Sequence, residues 1–197
     1  EAEVKPLSQE AAIASWDASI TGKNEDYKRS EDAQIKLIKL FSDSTLFAEI
    51  KEIRDSKLVK DSILFRQMEV LYPSFLRNQV NKDLLENKIR MESELEKKYS
   101  NFRAVINGNK ISDNEIEEIL STSKNSKELE VAWNAHKAIG NEVANDVIAI
   151  VKLRNQIAKE LGYENYHTMN MTLSEQNPAE ILALFDELDS LTKDAFA

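Results

Sequence analysis

The sequence has no cysteine. Disulfide staples and thiolate metal sites are therefore excluded. Only four glycines and three prolines occur in 197 residues. A sheet protein of this length needs many more turn residues, so the shortage predicts long helices. Histidine is equally scarce, with only His136 and His167. The helical zinc-peptidase motif His-Glu-x-x-His needs two histidines one turn apart with a glutamate between them. Neither histidine begins one, since "KAIG" follows His136 and "TMNM" follows His167. The longest strongly apolar run, Val147 to Val151, is far too short to cross a membrane. A glycine-rich phosphate loop, a Ser/His/Asp set and a basic patch are all missing.

What is present suits a folded helical chain. Apolar residues make up 42% and charged residues 31%, which is enough hydrophobic material for a core and excludes the disordered class. Acidic residues outnumber basic ones, 35 to 26, for a net charge of −9. Such a surface repels phosphate backbones, so nucleic acid is not an expected partner. The chain starts at Glu1 rather than Met, and "ILALFDELDSLTKDAFA" closes it without a cap or turn. Both ends are expected to be cuts, and the missing Met favours an extracytoplasmic location, periplasmic or secreted.

Residues Ser8 to Thr21 have helical spacing, with Ala12 and Trp16 on one row, Ala11 and Ser15 on another, and Gly22 as the stop. The next helix carries Tyr27, Ile35, Ile38 and Phe41 on one broad face. Ser44 or Asp43 caps a third, with Phe47, Ile50 and Ile53. A fourth runs through "VKDSILFRQMEVLYPSFLRN", and Pro73 should kink or break it near Leu71 and Tyr72. A long helix from Asp83 to about Tyr99 shows Leu84, Met91, Leu95 and Phe102 as a stripe. Its outer face offers the pairs Glu86–Arg90 and Glu94–Lys98. Asn107-Gly108 between short apolar runs predicts a β-ribbon near residues 103–111, the single non-helical element. Ser112 with Glu115 forms a capping box, and Asn125 with Glu128 repeats the logic. Gly140 is expected to end or bend the helix holding Trp133. Val143, Val147, Ile150, Ala158 and Leu161 form a stripe up to Gly162, and Pro178 opens the last helix.

Four places invite a chemical reading. Glu164 and His167 have Glu-x-x-His spacing, but di-iron bundles need that pair twice and two more glutamates. The alternative is a partly exposed histidine near a helix start. His136 has Asn134 and Lys137 beside it and no carboxylate to orient it, which favours a surface or interface histidine over an acid–base group. Trp133 reads as a core anchor rather than a substrate platform. Arg154-Asn155, inside an apolar helix, call for snorkelling or an ion pair bridging helices. No residue is assigned a catalytic, cofactor-binding or metal-ligating role.

The stretch "LEKKYSNFRAVINGNKISDNEIEEILSTSKNSKELEVAWNAHKAIG", residues 95 to 140, resembles the angiotensin-converting-enzyme-like zinc metallopeptidases, and most of all their bacterial members. The resemblance lies in a Tyr-Ser at a helix end, the short ribbon, "EIEEILSTSKNSKEL", and "AW" with Gly140 seven residues after Trp133. It continues through Leu153-Arg154-Asn155, Leu161-Gly162-Tyr163 and Tyr166. "AIASWDASITGKNE" looks like the family's opening helix and "ILALFDELDSLTKDAFA" like a later one.

This resemblance implies an all-α, multi-helix N-terminal subdomain of a cleft-type metallopeptidase. Lid helices would occupy about residues 7–60 and a helical body about 61–197, cut before the catalytic part. It implies peptide substrates, release of C-terminal dipeptides, and zinc in the full-length protein. There, two histidines of His-Glu-x-x-His and a later glutamate would hold the metal, and the motif's own glutamate would activate water. None of those residues maps onto this sequence. Two alternatives stand beside this reading: a helical binding or scaffold module, and part of an oligoendopeptidase-like enzyme. Apolar surface left bare by a missing catalytic part would favour self-association or partial opening of the last helix, around Ile181 to Phe196.

Overall fold

Seven of the helices among the described residues, including the one that follows Asn81, begin on a side chain that replaces a missing backbone partner in the first turn. The computed structural model describes residues 3–196. Among the described residues the order is α1 Val4–Thr21, α2 Asn24–Phe41, α3 Ser44–Ser56, α4 Ser62–Leu76, α5 Lys82–Asn101, β1 Ala104–Ile106, β2 Asn109–Ile111, α6 Asp113–Thr122, α7 Ser126–Lys137, α8 Ile139–Glu160, α9 Tyr166–Leu173 and α10 Pro178–Thr192. Asp43 accepts from the N–H groups of Thr45 and Leu46, and Asp61 does the same for Ile63 and Leu64. Ser112, Asn125, Asn165 and Asn177 cap α6, α7, α9 and α10. Each such cap contributes about 1 kcal/mol. Pro178 sits in the first turn of α10, where its missing N–H costs nothing. The helix does not run to the chain end as the sequence suggests: α10 stops at Thr192 and a 3-10 turn, Lys193–Ala195, follows.

The chain divides into two compact units. The first takes the residues up to Ile35 together with Asn87–Val151. In it α1 buries Ala11, Ala14 and Ala18 and leaves Ile13, Trp16 and Ile20 exposed. The expected Trp16 row therefore faces outward, with Trp16 69% exposed. Alanines at these positions let a neighbouring backbone come close, which a tryptophan row would prevent. Gly22 ends α1 at φ 65°, as its sequence position predicts.

The ribbon forms with the expected register: Ala104 opposite Ile111, Val105 opposite Lys110 and Ile106 opposite Asn109. Asn107 (φ 53°) and Gly108 (φ 81°) make the two-residue loop, both left-handed as a type I′ turn requires. Ala104, Ile116 and Ala132 are buried together, with Phe102, Ile106, Ile111, Ile119, Leu120 and Ala135 packed around them. The Ser112–Glu115 capping box is complete. At Asn125 only half of one forms, because Glu128 turns instead to the Ser123 hydroxyl at 2.6 Å. On the charged face of α5, Lys98 reaches Asp146 of α8 at 2.5 Å and Glu94 takes Lys97. Gly140 does not close a helix. A single residue, Ala138, separates α7 from α8, and Gly140 lies in the first turn of α8.

The second unit takes Lys36–Glu86 and the residues from Lys152 onward. Here α3 and α4 form a helical hairpin held by Phe47 against Tyr72, ring centroids 5.4 Å apart. The Arg54 guanidinium lies over Tyr72 at 4.1 Å and bonds Glu69 at 2.8 Å. Pro73 does not break α4, which continues to Leu76. Phe75, buried and edge-on to Phe41 at 5.2 Å, anchors the turn beyond the proline. The Arg77 N–H then closes onto the Pro73 carbonyl at 3.1 Å. Along α8, Leu153, Ile157 and Ala158 are buried in this unit and Ile150 in the first, whereas Val147 is exposed. Of the expected stripe, Ile150 and Ala158 are buried and Val143 and Leu161 partly so, while Val147 faces outward.

Candidate functional site

The most constructed polar corner lies in the second unit, where α8 ends and α9 begins. Gly162, at φ 82°, lets the chain reverse, and the Tyr163 N–H reaches back to the Ala158 carbonyl at 3.0 Å. The return brings Tyr166 over α8. Asn155 Oδ1 accepts the Tyr166 N–H at 2.9 Å, which pins the first residue of α9. The Arg154 guanidinium lies over the Tyr166 ring at 5.3 Å. Asn165 caps α9 through the Thr168 N–H at 2.9 Å. Beneath, Ala158, Met169 and Leu173 are buried, with Leu76, Leu161, Tyr163 and Tyr166 packed against them. Arg154 and Asn155, singled out by their position in an apolar helix, thus hold a helix junction together.

A shallow open groove runs along the same end of α8, lined by Lys152, Asn155, Gln156, Lys159 and Glu160. The Glu160 carboxylate accepts the Asn81 N–H at 3.2 Å. Two lysines and two amides can hold an acidic group there.

His136 lies half-buried in α7, in the first unit, and His167 is exposed at the second residue of α9, in the other. Among the described residues, no group of three or more His, Asp or Glu side chains is gathered in a way that could hold a metal. Trp133 is not the core anchor its size suggests. It is 53% exposed, and the Lys137 ammonium sits over its ring at 4.4 Å. Ala132, next to it, takes the buried position on α7.

Bare apolar surface is found on the last helix, where the sequence places it. Leu182, Phe185, Leu188 and Leu191 follow one another along α10 and are all exposed, as are Val147, Ile148 and Val151 on α8. The three-residue spacing along α10 was the available signal. No helix among the described residues is long and apolar enough to cross a membrane.

A family model described as angiotensin-converting enzyme matches residues 1–194. No curated protein and no solved structure matches the chain.

Proposed function

Because the chain belongs to the angiotensin-converting-enzyme family of metallopeptidases, we propose that it is the non-catalytic portion of a zinc enzyme that releases dipeptides from peptide C-termini. The match over residues 1–194 of a sequence without His-Glu-x-x-His carries this reading. On it, these helices build one wall of a substrate cleft and, over about residues 7–60, a lid across its mouth. None of the described residues is gathered to hold zinc; on this reading the metal would be held elsewhere in the full-length protein and would supply Lewis-acid activation of water there. The helices here contribute shape. They restrict entry to slender peptides and, on closing, exclude bulk water from the reacting centre. An acidic wall favours cationic peptides in the encounter. The location we assign is extracytoplasmic, where such peptides would be met.

The test is the full-length protein with a peptide bearing a free C-terminus. Stepwise dipeptide release, abolished by a chelator and restored by zinc, supports the reading. Cleavage at internal bonds instead assigns an oligoendopeptidase. A full reading frame without His-Glu-x-x-His leaves a helical binding or scaffold module. The 197 residues alone are expected to take up no stoichiometric zinc at neutral pH, and a saturable titration signal would contradict the assignment of the metal to other residues.

A further inference from the structure

We propose that Asn107 is a site of spontaneous deamidation and isomerisation, and that its conversion to isoaspartate unlocks the ribbon of the first unit. Of the asparagines in the sequence, Asn107 is the one followed by glycine. Succinimide formation needs the next residue's amide nitrogen to attack the asparagine side-chain carbonyl, and any side chain on that residue obstructs the approach. At Gly108 there is none, and even a Cβ would meet nothing within 4 Å. The attacking nitrogen must also be free. Residues 107 and 108 are both exposed and outside the strand ladder. Among the described residues, the Gly108 N–H makes no backbone hydrogen bond outside the strand ladder. The comparison is Asn125, followed by the small Ser126. Its Oδ1 is engaged as the cap of α7, accepting the Lys127 N–H at 3.1 Å, so its carbonyl is held away from attack.

The reaction balances within the turn and water. Hydroxide assists removal of the Gly108 amide proton, and the nitrogen bonds to Asn107 Cγ. The Cγ–Nδ2 bond breaks, and ammonia leaves with that proton returned from solvent. Water then opens the cyclic imide at either carbonyl, giving aspartate or isoaspartate, with no change of oxidation state. The two products differ in consequence. Aspartate keeps a two-residue loop and tolerates left-handed backbone. Isoaspartate routes the main chain through the side chain and adds one backbone atom between Ile106 and Asn109, the pair that closes the ladder. A type I′ loop fixes hairpin register, so the longer loop removes the register that holds Ala104 and Ile111 against α6 and α7.

The experiment incubates the full-length protein at mildly alkaline pH and maps its peptides by mass spectrometry. Isoaspartate is localised by enzymatic methylation at that residue class. The expected result is that the peptide spanning 104–110 gains the mass difference between amide and carboxyl, with isoaspartate as a product, while Asn125 stays unconverted. The proposal is overturned if native protein stays unconverted at Asn107 while the denatured chain converts. Gly108→Ala should slow the conversion several-fold. Because alanine is strained at φ 81°, Asn107→Asp supplies the second arm. It carries the new charge without the new backbone atom, and should unfold at the same denaturant midpoint as unaged protein, whereas the aged isoaspartyl fraction should shift to a lower one. A loss in Asn107→Asp equal to that of the aged fraction would refute the backbone mechanism.

Discussion

Asn101, the last residue of α5, clamps Gly22 at the end of α1: its Nδ2 donates to the Gly22 carbonyl at 3.1 Å and to the Lys97 carbonyl at 3.0 Å. A Cβ on Gly22 would fall inside the radius of Asn101 Oδ1. The two residues fix where the first helix meets the long fifth one. Gly22→Ala therefore meets two penalties. Left-handed backbone at φ 65° costs an alanine about 1–2 kcal/mol, and the Asn101 amide must move as well. Asn101→Ala removes a carbonyl's partner for about 1 kcal/mol. The double variant is expected to lose less than the sum, because truncating the Asn101 side chain vacates the space that the methyl added by Gly22→Ala needs. Urea unfolding of the four species measures this; strict additivity would mean the two residues do not interact.

The acid limb of stability should respond to Glu115 and Glu175. The Ser112 hydroxyl, and then its N–H, hold the Glu115 carboxyl below the ordinary range, and the Arg66 guanidinium does the same for Glu175 in a two-pronged pair. A carboxyl whose pKa is lower folded than unfolded adds stability above the unfolded value and loses it as pH falls through the folded one. Stability is therefore expected to decline as pH drops below the usual glutamate range. Glu115→Gln keeps the cap, since glutamine serves at the same position, and should flatten that decline. Glu175→Gln should flatten it too, but at the cost of the Arg66 pair even at neutral pH. Denaturant midpoints against pH decide this, and a wild-type slope in both variants would count against it.

Local chemistry was legible in the residues. The caps at Asp43, Ser112 and Asn125, the Asn107-Gly108 turn, the stop at Gly22 and the start at Pro178 each depend on partners a few positions away. What was not legible depends on distant neighbours. Pro73 stays inside α4 because Phe75 is held by Phe41, more than thirty positions earlier. Trp16 and Trp133 face outward because the alanines beside them are the positions that neighbours approach. The polar corner was half legible. Arg154 and Asn155 stood out in an apolar helix, but their partner is Tyr166, set over them by the reversal at Gly162.

Trp133 should matter little to stability. Half exposed, it gains from Lys137 a cation–π contact worth about 0.5–1 kcal/mol at such a site. Trp133→Leu is expected to shift the unfolding free energy by less than about 1 kcal/mol, well short of the ~3–5 kcal/mol for removing a buried tryptophan. Urea unfolding followed by circular dichroism, which does not rely on the lost indole, measures the shift. A large destabilisation would show that the side chain is enclosed after all.

Association of the 197-residue segment should be apolar in drive and electrostatic in restraint. Leu182, Phe185, Leu188 and Leu191 give α10 a continuous bare stripe, with Leu191 76% exposed. Contiguous apolar surface of this kind favours contact between copies. Glu180, Asp186, Glu187 and Asp189 share the same helix, and the chain carries a net charge of −9. Two copies meeting through α10 thus bring like charges together. Salt screens that repulsion, with a Debye length of about 10 Å at 0.1 M and about 3 Å at 1 M, while leaving the apolar attraction intact. Light scattering is expected to show a rise in mean mass as salt is added, and Leu188→Lys should suppress the rise. Association that instead weakens with salt would place its source in ion pairs. A monomer at every salt concentration, with α10 well protected in hydrogen exchange, would show that the stripe is not an association surface.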